Sequence, residues 1–148
     1  MRQKNANIFF EKVMGTEEQI EILYIHLKNR KYSISHKLLP QYQDHIKFVK
    51  NHPYRDWFII KEAKEIIGNV YVHFDNSIGL NCTDEITEVQ IGTVLQILTN
   101  TLKPLEPVPS VRSSGYFINV PTANTQLQEK LLHIGLVELQ KSFQLIRD

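Results

Sequence analysis

One α/β domain, a mixed sheet with helices packed on it, is the fold class that the sequence predicts. Three observations carry that reading. Short strand-like runs alternate with stretches whose apolar residues recur at helical spacing. The chain has 148 residues, the usual size of one domain and enough to bury a core without disulfides or a structural metal. No repeat, low-complexity tract or linker divides it.

Residues 8–13 are rich in β-formers and predict the first strand. Thr16, Glu17, Glu18 and Gln19 then make a capping box, a hydroxyl at the N-cap with a glutamine three residues on. Ile20, Leu23, Tyr24 and Leu27 follow at i, i+3, i+4 and i+7 and place one helix face against the core. A second helix is expected over 40–50, with Tyr42, Ile46 and Val49 inward and Asn51, His52 and Pro53 as its stop. Residues 57–60 and 65–74 read as two antiparallel strands joined by a polar turn at 61–64. Asp75 and Asn76 then turn the chain into a strand at 78–80.

From Ile91 the period changes. Ile91, Val94, Leu95, Leu98 and Leu102 share a helical face that Lys103 and Pro104 end. Three prolines within 104–114 predict an ordered loop rather than a domain linker. A short strand over 116–120 follows, then a helix over 126–134 capped by Asn124 and Thr125, with Gly135 at the left-handed position that ends it. Residues 136–146 are read as a final strand.

Lys and Arg number 17 against 16 Asp and Glu, so no summed field draws the chain to nucleic acid or an acidic membrane. Cys82 is the only cysteine, which excludes an intrachain disulfide and fits a reducing compartment. The polar N-terminus leads into no sustained apolar run, so neither a signal peptide nor a membrane span is expected and the chain reads as cytoplasmic. The six histidines show no metal-ligand spacing with acidic support, and no metal is expected.

Val120, Pro121, Thr122, Ala123 and Asn124, followed by a helix and then Ile134, Gly135 and Leu136, carry a resemblance. They are similar to the strand, Val-x-x-x-Asn, helix, Leu-Gly-Phe signature of the GNAT acetyltransferase superfamily, and the element order along nearly the whole chain is similar too. The resemblance implies a mainly antiparallel central sheet with helices on both faces and a cleft for acetyl-CoA as acyl donor. Asn124 would lie near the cofactor arm, although an N-cap role explains it equally. The family's pyrophosphate loop, Gln/Arg-x-x-Gly-x-Gly/Ala, is matched by residues 87–92, where only Gly92 keeps the pattern and Thr87 and Gln90 depart from it. Gln90, Ile91, Gly92 and Thr93 are thus the expected phosphate contacts, held as anions are at a helix start. Glu85 and Glu88 are ordinary dipole partners of the same helix start.

The resemblance also implies an oxyanion donor in the backbone of Leu80, Asn81 or Cys82. The family's thiolate-protonating tyrosine falls at Leu131, which cannot donate a proton, and Tyr116 is the candidate replacement. Candidate bases for the attacking amine are His73, Glu65 and Asp75, with His73 preferred because imidazole titrates near neutrality. His36, His52, Tyr54, Arg55 and Trp57, with Arg112 from the loop, form the expected acceptor patch; the competing reading is a packed helix-to-strand corner. Two functions follow: an acyl-CoA-dependent N-acyltransferase acting on the amine of a small metabolite, or a GNAT-fold module that binds or interacts without catalysis. Pairing of C-terminal edge strands leaves a homodimer as an option.

Overall fold

In the computed structural model, residues 7–32 and 38–146 are described. The elements are β1 (Ile8–Lys12), α1 (Glu17–Asn29), α2 (Tyr42–Lys50), β2 (Asp56–Glu62), β3 (Glu65–Val72), β4 (Ser77–Cys82), α3 (Glu88–Thr101), β5 (Phe117–Ile118) and α4 (Thr125–His133). The sheet order is β1-β2-β3-β4-β5. The first three junctions are antiparallel and β4 pairs with β5 in parallel.

Strand β2 shows how the sheet is covered. Ile59 and Ile60 are neighbours in sequence and both are 0% exposed. Successive side chains of a strand point to opposite faces, so both faces must be buried. On one, Phe58, Ile60, Val70, Val72 and Ile78 pack against Val94 and Leu98 of α3. On the other, Trp57 and Ile59 meet Ile20 and Leu23 of α1 and Val49 of α2. A third cluster of Ile86, Ile91, Leu127 and Leu131 ties α3 to α4. This is the mixed, mainly antiparallel sheet with helices on both faces that the resemblance implied.

The capping box of α1 forms as expected. Thr16 Oγ1 accepts from the Gln19 amide at 3.2 Å, while Gln19 Oε1 accepts from the amides of Met14 and Gly15 at 2.7 and 3.1 Å. Helix α2 starts at Tyr42 rather than at residue 40, and its inward face differs from the expected one. His45 is buried beside Val49, and Tyr42 lies half open to solvent. The histidine is tolerated there because its Nε2 meets the Ile20 carbonyl at 2.8 Å, leaving no buried ring nitrogen to hydrate on that side.

The C-terminal end departs most from expectation. Gly135 takes φ +104°, and the amides of Gly135 and Leu136 return to the carbonyls of Leu132 and Leu131, which closes α4 as predicted. The final strand expected over 136–146 does not form: those residues are neither strand nor helix. Alternation supplies an apolar face, but a strand also needs a neighbouring edge to take its backbone hydrogen bonds, and no such pairing is made. Strand β5 is likewise shorter than the expected 116–120, since Pro121 and the turn to α4 take the chain away from β4.

Candidate active site

The site is built around a split in the sheet. The amides of Phe117 and Asn119 reach the carbonyls of Asn76 and Ile78, both at 3.3 Å, and there the β4–β5 ladder ends. Strand β4 runs on to Cys82, held on its other side by β3. Alternation along β4 points the N–H and C=O groups of Ile78, Leu80 and Cys82 toward β5. Past Ile78 no described backbone group meets them, so the Leu80 and Cys82 amides are unspent donors facing a gap.

Beside the end of β4 lies a small cleft, with room for about one water, lined by Cys82, Thr83, Asp84 and Ile86 on one side and by Asn124, Gln126, Leu127 and Lys130 on the other. Cys82 and Asn124, two expected cofactor contacts distant in sequence, are brought together here. The Asn124 side chain accepts from the Leu127 amide at 3.2 Å, so it caps α4 while lining the cleft. Lys130, which sequence reasoning missed, sends its ammonium to the Asp84 carbonyl at 2.6 Å. Its position six residues after Asn124, next to core-facing Leu131, was the available signal. Burial pushes the Cys82 thiol up to about 12, so this cysteine lines the cleft as a neutral group.

The start of α3 is occupied by its own side chains. Thr87 Oγ1 accepts from the Gln90 amide at 3.1 Å and Gln90 Oε1 accepts from the Thr87 amide at 2.9 Å, a second capping box. Gln90 also donates to Glu62 at 3.1 Å, and Glu88 meets His133 Nδ1 at 2.7 Å. Ile91 is fully buried and Thr93 donates to the Val89 carbonyl at 2.8 Å, so their side chains serve the helix. Gly92 stands apart: a Cβ there would meet nothing within 4 Å.

An aromatic group covers the opposite face of β4. The rings of Tyr54 and Tyr71 stack at 4.2 Å, and His73 stands edge-on to them at 5.0 and 5.3 Å. Trp57 stands edge-on to both Tyr54 and His52, and the His52 ring is tilted against Tyr54. Tyr71 lies directly over Gly79, the residue before Leu80, so the aromatic group covers one face of β4 while the unspent amides point sideways along its open edge. Burial raises both phenols above the ordinary tyrosine range, keeping them protonated, and burial lowers His52. Below them Trp57 Nε1 donates to Asn69 Oδ1 at 3.0 Å, and Asn69 Nδ2 lies 3.0 Å from His26 Nδ1. An indole only donates, so Asn69 must donate in turn, and His26 carries its proton on Nε2. Tyr71 and Asn69 alternate along β3 with His73, a pattern visible in the sequence that sequence reasoning left unused.

The remaining expected residues are placed as follows. Arg55 donates to the Lys103 carbonyl at 2.8 Å, and Arg112 to the carbonyls of Glu106 and Phe74 at 2.6 and 3.2 Å, so each guanidinium is tied to backbone. Tyr116 donates its phenolic proton to the Leu102 carbonyl at 2.8 Å. Asp75 Oδ1 accepts from the Ser77 amide at 2.9 Å; burial opposes its ionisation, yet the bonds from Ser77 hold the carboxyl below its usual range. Glu65 begins β3 and His73 follows its last residue, Val72, about 26 Å away at roughly 3.3 Å per residue. Trp57 is buried in the core, Leu131 packs between α3 and α4, and His36 lies outside the described residues. Among the described residues no cluster of three or more His, Cys, Asp or Glu is placed to hold a metal, and no helix is long and apolar enough to cross a membrane.

No family model matches the sequence, and no curated protein matches it. Solved structures do match the fold. An integron cassette protein from the mobile metagenome of V. cholerae superposes with a TM-score of 0.60 at 10% identity, covering 96% of this chain and 93% of that one. The Campylobacter jejuni N-acetyltransferase PseH, in complex with acetyl coenzyme A, gives 0.58 at 11% identity over 91% and 92%. An aminoglycoside acetyltransferase from an uncultured soil metagenomic sample, in complex with sisomicin, gives 0.53 at 12% over 96% of each chain. The chain has the GNAT fold.

Proposed function

We propose that the protein is an acyl-CoA-dependent N-acyltransferase, with acetyl-CoA as donor and the amine of a small metabolite as acceptor. The observation that carries this reading is the split between β4 and β5, with the unspent amides of Leu80 and Cys82 facing it. Bound acyl-CoA would supply an acyl thioester. The residues present fit such a group: β4 offers an open backbone edge for an extended arm, Gly92 leaves room at the start of α3, and Lys130 and Asn124 line the cleft beside it. With the α3 start closed by its own capping box and the Gly92 amide inside the helix, Lys130 is the candidate phosphate contact and Gly92 leaves room beside it.

The Leu80 amide is the candidate oxyanion donor, since a fixed N–H in a desolvated split stabilises developing negative charge. On the other face, Tyr54 and Tyr71 present protonated phenols and flat ring surface to an acceptor. His73, edge-on to both, is the group that takes the proton from the attacking amine. Tyr116 is spent on Leu102, so the departing thiolate takes its proton from water.

Two observations favour the other reading, a GNAT-fold module without catalysis. Leu131 is core, and the α3 start satisfies its own amides. The two readings separate in an assay of free thiol release from acetyl-CoA against a panel of amines that includes amino sugars. Catalysis gives amine-dependent release. Leu80→Pro removes the proposed donor on the side of β4 that β3 does not use, and is expected to lower kcat by about 10²–10³. Amine-independent background alone, with a folded protein, favours the non-catalytic module.

A further inference from the structure

Helix α1 crosses one face of the sheet from β1 toward β4. Gln19 Nε2, in its first turn, donates to the Lys12 carbonyl of β1 at 2.8 Å. His26 meets Asn69 of β3 at 3.0 Å, and Lys31, just past the helix, pairs at 2.9 Å with Asp84, which follows the end of β4. Arg30 lies between these last two contacts, four residues after His26 and so about one turn further toward β4. The cross-strand register sets Tyr71 opposite Gly79 and Asn69 opposite Asn81. Asn81 therefore shares this face with His73 and with the Tyr71 ring on which Tyr54 stacks.

The end of α1 brings a cation to that face and leaves it unspent. Arg30 is half-buried, and among the described residues its guanidinium has neither a hydrogen-bond acceptor nor a carboxylate. The carboxylate nearest the helix end, Asp84, is taken by Lys31. The Arg30 charge reaches the phenols of both Tyr54 and Tyr71, where it opposes the rise that burial causes. A helix dipole favours a cation at its C-terminus, but that gain is open to a side chain held in solvent. It does not account for a guanidinium drawn half out of water beside two buried phenols, a cost that an anion in contact with it would offset. Arg55 and Arg112, by contrast, are tied to backbone carbonyls. Asn81 is also half-buried, and among the described residues its side chain has no partner.

We infer that Arg30 selects the acceptor: the amine carries an anionic group, a carboxylate or a phosphate, which the Arg30 guanidinium grips through its planar fork while the Asn81 amide donates beside it. The inference deepens the acyl-transfer reading and rests on it. The anion sits at the close of α1, and the amine points along the same face toward His73.

The test is calorimetric titration of the full native chain, without acyl-CoA, with matched amines: γ-aminobutyrate against its amide, and phosphoethanolamine against ethanolamine. The anionic member of at least one pair is expected to bind about tenfold tighter or more, and the pair that shows it tells carboxylate from phosphate. Arg30→Gln is expected to abolish the preference. Arg30→Lys should keep part of it, since the point charge stays and the fork is lost. Thermal unfolding shows whether both variants are folded. In the thiol-release assay the loss appears in the acceptor KM rather than the acetyl-CoA KM. Equal binding within both pairs, or a preference that survives Arg30→Gln, overturns the role of Arg30. A preference in binding that Arg30→Gln removes, with no turnover of any amine, supports the anion site and sinks acyl transfer instead.

Discussion

Replacing Gly79 with alanine tests how the aromatic face is seated on β4. A Cβ at Gly79 would stand 2.5 Å from the Tyr71 hydroxyl and closer still to its Cζ and Cε2, where ordinary contact is 3.4–4 Å. The ring must therefore retreat by about 1 Å or more, and its neighbours limit where it can go: Tyr54 is stacked 4.2 Å away and His73 stands edge-on at 5.3 Å. Overpacking of this kind costs about 1–3 kcal/mol. For a chain of this size that lowers Tm by roughly 2–12 °C, measurable by calorimetry. Tyr71→Leu removes the obstructing ring atoms, so Gly79→Ala should cost little in that background, a coupling of about 0.5–3 kcal/mol. In the acyl-transfer assay, Gly79→Ala should raise the acceptor KM more than the acetyl-CoA KM. Additive Tm changes in the double variant, or no Tm change in the single one, would refute the seating of Tyr71 over Gly79.

Asn124→Ala removes the α4 cap and should cost about 1 kcal/mol, or about 2–4 °C in Tm, while Asn124→Asp should keep most of it; thermal unfolding of both variants checks this. His26, His45 and His52 are all held below their ordinary value by burial, so below about pH 6.5 the unfolded chain binds more protons than the folded one. Their contribution to stability is whole above that pH and is lost as pH falls, at up to about 1.4 kcal/mol per unit for a buried histidine such as His45. Urea unfolding at pH 7.5 and 5.5 should show the loss, and His45→Gln should make it shallower. Cys82, partly buried and with its thiol pushed up to about 12, should react more slowly with a thiol-specific disulfide reagent at pH 8 in the folded protein than in urea; equally rapid reaction without urea contradicts that upward shift.

What the sequence made legible was local. Thr16 with Gln19, Asn124 with its helix, and Gly135 each act within one turn of chain, and each appears where spacing put it. Period gave both sheet faces, because Ile59 and Ile60 could be buried together only between two layers. The second capping box is equally readable: Thr87 to Gln90 repeats the Thr16 to Gln19 spacing, although the resemblance assigns that stretch to phosphate contacts. Long-range bonds were not legible. Nothing near Arg55 or Tyr116 in sequence indicates that Lys103 and Leu102 carbonyls will occupy them, since those contacts exist only once α3 ends beside the sheet. The tail failed for the opposite reason. Its alternation is a property of the segment, whereas strand formation requires an edge supplied by something else.

The split between β4 and β5 is the centre of the functional account, and calorimetric titration with acetyl-CoA tests it most directly, on the native chain and on Gly92→Trp. The account predicts micromolar binding to the native chain, and at least tenfold weaker binding to Gly92→Trp with Tm unchanged, because the added side chain enters space that the protein leaves open. No binding to the native chain, or equal affinity in both, would contradict it.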